Sequence, residues 1–386
     1  MQNRDHTRIN RRTFLKTTAA AATVAASPLF GAGSSTEEEY KALVCILLEG
    51  GADTLGMVMP GEKRTLSISG SGYRLHPAMQ WMQKMQQMKD LAVVANVGTL
   101  NEPVSRSRLE SSVSSLDLPD QLFNQLAQRE AWMMAGSRES GWAARVADSL
   151  SGRHINISVG GQNSMQYGAR EEPLVAADPH FGTLNDPQGI LHRLERVDIG
   201  VAHDAEAHGS SLGEQLELVA SLMAARKSAG FAKRQIFFVR HDNWHTEGLS
   251  VEQMAQKDAR NLSYLDHALG RFSEALAALG LHEKVTTFTT GDLNRGITSD
   301  GYGCSRGWGG HAFVMGGAVR AGLYGRMPDM RSDSTDRMPN GAVIPTIASD
   351  QYLATLVEWL GDGEIDLDMV FPNLVRFEQK TLGFMV

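Results

Sequence analysis

Carboxylate and imidazole side chains recur in this chain where buried-looking apolar segments give way to polar loops. Glu49 and Asp53 follow the run at 42–48. Asn96 and Thr99 close or follow 91–97, and His241, Asp242, Asn243 and His245 come after 235–239. Asp292, Asn294 and Arg295 follow 285–289, with Ser305, Arg306 and His311 further on. Zinc takes imidazole nitrogen and carboxylate oxygen, and a pair of metal ions holds and activates a phosphate or sulfate ester. Asp and His at several strand ends of one sheet are raw material for such a site.

The elements that must carry these groups are legible in the apolar pattern. The run at 42–48 (ALVCILL), ended by Glu49-Gly50-Gly51, reads as a strand buried on both faces, as in a parallel sheet. A helical spacing at 77–88 follows, then a second buried strand at 91–97, the order of a right-handed crossover unit. The pattern returns with a helix at 214–226, a strand at 235–239, a long amphipathic helix at 251–279 and a strand at 285–289. A further strand is expected at 312–315 and a late helix at 352–360. The expected class is α/β: three layers, a mostly parallel central sheet with helices on both faces. Residues 100–140 and 160–210, rich in Ser, Gly, Asn, Asp and Pro, are expected as surface insertions that cap a site. Ligand groups in such sheets gather beyond the carboxyl ends of the strands, where the residues above lie.

The N-terminus sets the compartment. Asn10-Arg11-Arg12-Thr13-Phe14-Leu15-Lys16 and the short apolar stretch at 17–26 form a twin-arginine export signal, an address read by the export machinery. Residues 1–33 are expected as signal and linker, cut near 27–34, and 34–386 as one domain. Residues 1–32 hold five basic residues and one acid, so the remainder carries −11 where the whole chain carries −7. A surface that acidic excludes nucleic acid as the natural partner. No later stretch approaches 18 consecutive apolar residues, so no membrane span is expected after the signal. Two cysteines, Cys45 and Cys304, make no disulfide framework; Cys45 reads as a buried small hydrophobe, and their pairing is open.

Five stretches give the chain a family likeness: Leu48-Glu49-Gly50-Gly51-Ala52-Asp53-Thr54, Ala95-Asn96-Val97-Gly98-Thr99-Leu100, Gly141-Trp142-Ala143-Ala144-Arg145, Thr290-Gly291-Asp292-Leu293-Asn294-Arg295, and the segment opening Gly307-Trp308-Gly309-Gly310-His311. With these it resembles the family called domain of unknown function 1501. Those are bacterial proteins exported by the twin-arginine route, with a fold like that of the alkaline phosphatase and sulfatase superfamily. The resemblance covers nearly all of the mature chain and implies an alkaline-phosphatase-like domain. Two departures touch the chemistry. Where the family usually shows Asp-Thr-His, this chain has Asn243-Trp244-His245; where it shows Asp-His-Gly, this chain has Ser305-Arg306-Gly307. A guanidinium repels a cation and offers it no lone pair.

The metal ligands that the resemblance leaves are Asp53, His245, Asp292 and His311, enough for one divalent ion (zinc, manganese or calcium) and thin for two. It places Thr99 where the superfamily carries its hydroxyl nucleophile; Arg306, a departure from the family, reads instead as a contact to a bound anion. Two functions compete, beside a chemistry that the fold analogy does not anticipate, since fold alone does not fix function. One is an exported binding or assembly component with a depleted metal site, whose partner is a small anionic ligand or an envelope protein. The other is a metal-dependent hydrolase of phosphate or sulfate esters using Asp53, His245 and Asp292.

Other signals have simpler readings. Gly209-Ser210-Ser211-Leu212-Gly213 matches the serine-hydrolase turn, but the polar 201–208 before it is not a strand, so Ser211 is expected in the lead-in to a helix. His203 and His208 read as solvated loop residues, and His241 is open between lining a site and exposure. The 18 methionines fall mostly at core spacing and serve as gap-fillers, not as copper ligands. Phosphate-loop, dinucleotide, HExxH, CxxC and EF-hand patterns are absent.

Overall fold

The computed structural model describes residues 40–60, 72–176, 194–201, 204, 210–299 and 303–386. The export leader, His203 and His208 lie outside the described residues. Continuous apolar runs become the central strands. In chain order they are β1 (Lys41–Leu48), the hairpin β2 (Val58–Pro60) and β3 (Tyr73–Leu75), β4 (Leu91–Gly98), β5 (Asn156–Ser158), β6 (Leu174–Val175) and β7 (Arg234–His241). The second half adds β8 (Val285–Gly291), the hairpin β9 (Arg295–Ser299) and β10 (Cys304–Arg306), β11 (Gly310–Met315), β12 (Gly322–Gly325) and β13 (Ile347–Ala348). The helices are α1 (Thr54–Met57), α2 (Gln80–Met88), α3 (Arg106–Ser112), α4 (Gln125–Met134), α5 (Trp142–Ser149), α6 (Leu212–Ala225), α7 (Val251–Ala278), α8 (Ser349–Leu360) and α9 (Leu367–Val370).

Among the described residues, nine strands form the main sheet in the order β12-β4-β11-β8-β1-β7-β5-β6, with β13 beside β4. All its pairings are parallel except those of β11, which runs antiparallel to both β4 and β8. The expected class, a mostly parallel sheet between helical layers, is the one observed. Alternation along β1 feeds both layers. Leu43, Cys45 and Leu47 join the core built with Trp142 and Val146 of α5 and Tyr352, Leu353, Leu356 and Leu360 of α8. On the other face α2 packs on β4 and α7, and α6 on β7 and α7. Nearly every residue of β1 and β4 is buried, as for strands covered on both sides.

Strand ends run past the apolar runs. β7 continues through Arg240 and His241 because the ladder pairs them with Leu47 and Leu48, and polarity alone does not end a paired strand. Segment 100–140, expected at the surface, contains α4, which packs on β8 and sends Trp132 and Met133 into the main core. Ser211 caps α6, with its hydroxyl and the Glu214 side chain closing a reciprocal box, and Ser250 with Gln253 does the same for α7. The serine-hydrolase pattern is thus a helix start. Neither Cys45 nor Cys304 forms a disulfide among the described residues; burial pushes the Cys45 thiol up to about 12, and the Cys304 thiol meets Met254 Sδ at 3.7 Å.

Candidate functional site

Register sets the first element of the site. Leu48 of β1 is level with His241 of β7 and Gly291 of β8, so Glu49 and Asp292 leave the sheet side by side. The chain then turns through Gly50 and Gly51, both with positive φ (112° and 82°), which glycine adopts without strain. This turn aims two successive amides at one carboxylate: Gly50 N–H reaches Asp292 Oδ2 at 3.0 Å and Gly51 N–H reaches Oδ1 at 3.3 Å. A Cβ on Gly50 would lie 2.9 Å from His245 Cδ2, so the imidazole packs directly on the turn.

Helix α4 closes the site from above. Gln125 Nε2 donates to Asp292 Oδ2 at 2.7 Å, and Arg129 Nη2 donates to the same oxygen at 3.2 Å and to Glu49 Oε1 at 2.5 Å. The second Glu49 oxygen faces Arg240 Nη1 at 3.7 Å. Asp292 is wholly buried, while Glu49 and Arg129 keep 17% and 21% of their side chains exposed. Arg129 Nε is buried, with no acceptor among the described residues.

A second charged knot lies across the same turn. Arg295 donates through Nε to Gly51 O at 2.9 Å, through Nη2 to Trp244 O, and through both terminal nitrogens to Asp258 of α7 at 2.5 and 2.8 Å. Such fork-on-fork pairing holds α7 to the sheet edge. Asp53 lies beside it and caps α1, accepting Gly56 N–H at 3.0 Å. Burial raises the Asp53 carboxyl above its ordinary value; the Gly56 amide and the Arg295 charge act the other way.

The glycine-rich segment before β11 is a packing device. Trp308 Nε1 donates to Thr99 O at 2.7 Å. A Cβ on Gly309 would meet Asn96 Oδ1 at 2.3 Å, and one on Gly310 would meet Thr54 Oγ1 at 2.2 Å. Thr54 Oγ1 accepts His311 N–H and donates to Asn294 Oδ1, whose amide donates to Trp308 O. This ring ties together the ends of β1, β8 and β11. His311 accepts Asn96 N–H on Nδ1 at 3.2 Å, and burial lowers its pKa to about 4, so the ring is neutral with its proton on Nε2. It lines a small pocket with Thr54, Asn294, Thr289 and Trp132.

The expected site residues are therefore near one edge but separately employed. Asp53 caps a helix. Asp292 is saturated by protein donors, and His311 spends its lone pair on a backbone amide. His245 is half exposed, with Nδ1 3.8 Å from Glu247. Among the described residues, no three of His, Cys, Asp and Glu are arranged to hold one ion. Thr99 is 3% exposed, and its hydroxyl donates to Gln128 Oε1. Arg306, exposed on β10, donates to Phe123 O at 2.9 Å. His241 is buried against Trp244 and Tyr264, its pKa lowered to about 4 by burial against the pull of Asp204. Asn243 stands at φ 72°, a left-handed conformation that asparagine tolerates. Sequence reasoning missed Gln125, Gln128 and Arg129, whose only signal is a polar i, i+3, i+4 stripe on α4.

Residues 8–28 match the family described as TAT (twin-arginine translocation) pathway signal sequence. No helix among the described residues is long and apolar enough to cross a membrane. The protein is exported by the twin-arginine route and is periplasmic or secreted. No curated protein matches the chain. Among solved structures it is similar to the C-terminal periplasmic domain of EcEptC from Escherichia coli, at 11% identity over 88% of each chain, with a TM-score of 0.43. It is also similar to a protein in the alkaline phosphatase superfamily from Vibrio parahaemolyticus, at 13% identity over 83% of this chain, with a TM-score of 0.42. The chain spans 66% of that Vibrio protein, just under two thirds. PsFucS1 sulfatase from Pseudoalteromonas sp. matches at 11% identity over 89% of this chain and 73% of its own, with a TM-score of 0.38. At such scores the likeness assigns no residue a role.

Proposed function

We propose that this chain is an exported binding or assembly component of the cell envelope, of the domain of unknown function 1501 kind, with a hydrolase-like layout and no working metal centre. The observation that carries this reading is the state of Asp292. Its two oxygens accept from Gly50, Gly51, Gln125 and Arg129, and the last brings a positive charge to within 3.2 Å. A cation placed about 4 Å from that guanidinium would be repelled by about 4 kcal/mol per unit charge at a surface-like dielectric. The side chains present therefore do not fit a divalent ion. Thr99 supports the same reading, since its hydroxyl is buried and already donates to Gln128. The polar groups of the edge hold α1, α4 and α7 in place, which suits a scaffold that presents a surface to a small anion or an envelope protein.

The test is metal analysis of protein purified without chelator, with melting curves in EDTA and a panel of aryl phosphates and sulfates. Sub-stoichiometric metal, a melting temperature indifferent to EDTA and no hydrolysis are expected. Stoichiometric zinc, manganese or calcium that disappears in Asp292→Asn would overturn the proposal in favour of the metal-dependent hydrolase.

A further inference from the structure

We infer that Arg129 is the resident cation of this edge: its guanidinium takes the place between Glu49 and Asp292 that a divalent ion would need, and removing it opens a cation site built from those two carboxylates. This deepens the metal-free reading above and rests on it. The resemblance to metallohydrolases implies an ion at the strand ends, and the side chains present refuse one; Arg129 is the reason for the refusal.

Register forces the problem that Arg129 solves. With Leu48 level with Gly291, two acidic residues leave neighbouring parallel strands together, and one of them is fully buried. Two carboxylates so placed repel each other unless positive charge is supplied between them. A single nitrogen, Arg129 Nη2, does this, 2.5 Å from Glu49 Oε1 and 3.2 Å from Asp292 Oδ2. Arg240 faces the remaining Glu49 oxygen at 3.7 Å. Two guanidiniums thus bring the same +2 that one divalent ion would bring. Arg129 comes from α4, outside the sheet and 163 residues before Asp292 in the chain, so its side chain is separable from the strands that carry the acids. The unpartnered Nε indicates that the carboxylates, and not a complete set of acceptors, orient the guanidinium. The imidazole of His245 packs on Gly50, whose amide holds Asp292.

The experiment compares the intact mature chain with Arg129→Gln, Arg129→Met and Arg129→Gln/Asp292→Asn, each stripped of metal and titrated with manganese, zinc or calcium alone. Bound metal is counted after desalting, and melting is followed by far-ultraviolet circular dichroism. The wild type should bind no ion. Arg129→Gln should bind one and gain roughly 2–5 °C in melting temperature at a hundredfold excess over its Kd. The double variant should lose both gains. An Arg129→Gln chain that folds only with metal present also supports the inference. Two outcomes overturn it while leaving the proposed function intact. In the first, Arg129→Gln and Arg129→Met fold and bind no more metal than the wild type. In the second, both fail to fold even with metal. Stoichiometric metal in the wild type, lost in Asp292→Asn, overturns the inference and the proposed function together.

Discussion

Arg129 donates to Asp292 at 3.2 Å across 163 residues of chain, joining α4 to the end of β8 beneath the Gly50-Gly51 turn. The carboxylate that the sequence offers as a metal ligand is, in the fold, the acceptor for four protein groups. Removing it takes the acceptor from two backbone amides and the Gln125 amide, and leaves Arg129 with Glu49 alone of its two carboxylates. Asp292→Ala is expected to cost about 3 kcal/mol in urea unfolding, with an unchanged m-value. A loss under about 0.5 kcal/mol would mean that these donors find water and that the network does not hold the edge together.

Gly50 tolerates no side chain for two independent reasons, its φ of 112° and the imidazole packed against it. Gly50→Ala should cost about 1–3 kcal/mol. The cost should shrink, but not vanish, in a His245→Ala background, because the ring's share of the clash goes while the contact with His245 N at 2.9 Å and the backbone strain stay. Strict additivity of the two substitutions would show that His245 is not what crowds the turn.

Acid should weaken the fold through its buried imidazoles. Burial holds His311 and His241 at about 4, below the ordinary 6.5. Their contribution is fully present above pH 6.5 and is lost as pH falls from 6.5 through 4, by up to about 1.4 kcal/mol per pH unit for each ring. His311→Gln, whose amide oxygen can still accept Asn96 N–H, should flatten the fall in urea midpoint between pH 6.5 and 4.5. An unchanged slope would clear His311 of any part in it.

Asp350 works in the opposite sense. At the start of α8 it is 2% exposed, and burial raises its pKa from 3.8 to about 6 against the Ser349 and Asn373 hydrogen bonds and the Arg145 charge. Its contribution is therefore full below pH 3.8 and is lost as pH rises through 6. Asp350→Asn should gain on the wild type by on the order of 2 kcal/mol between pH 4 and pH 7. If the stability difference between the two proteins is the same at both pH values, the carboxyl is not titrating in this window.

Ser211 separates a cap from a nucleophile. Its hydroxyl accepts Glu214 N–H while Glu214 reaches back to its amide, so Ser211→Ala should cost about 1 kcal/mol and Ser211→Asp much less. Covalent labelling of Ser211 by an organophosphate would contradict this assignment.

What could be read in advance differs from residue to residue. The strands β1, β4, β7 and β8 were visible because strands covered on both faces must be apolar throughout. The choice between Glu49 and Asp53 was not visible. Both follow β1, and only the turn at Gly50-Gly51 decides that Glu49 stays level with Asp292 while Asp53 is carried off to cap α1. Trp308-Gly309-Gly310-His311 reads as a site segment, yet its glycines are needed because Asn96 and Thr54 press against their backbone. Arg129 carried the weakest signal, since a polar stripe on a helix usually faces water.

By itself the sequence determined the export address, the alternation of buried strands and helices, and the clustering of polar groups at strand ends, because these follow from local composition and periodicity. Only the tertiary structure decided which charges meet. Pairing across 80 and 163 residues depends on strand register and on where α4 docks, and neither is encoded in any local pattern. That docking put a guanidinium, fixed by the chain itself, against the two acids where the sequence suggested an ion.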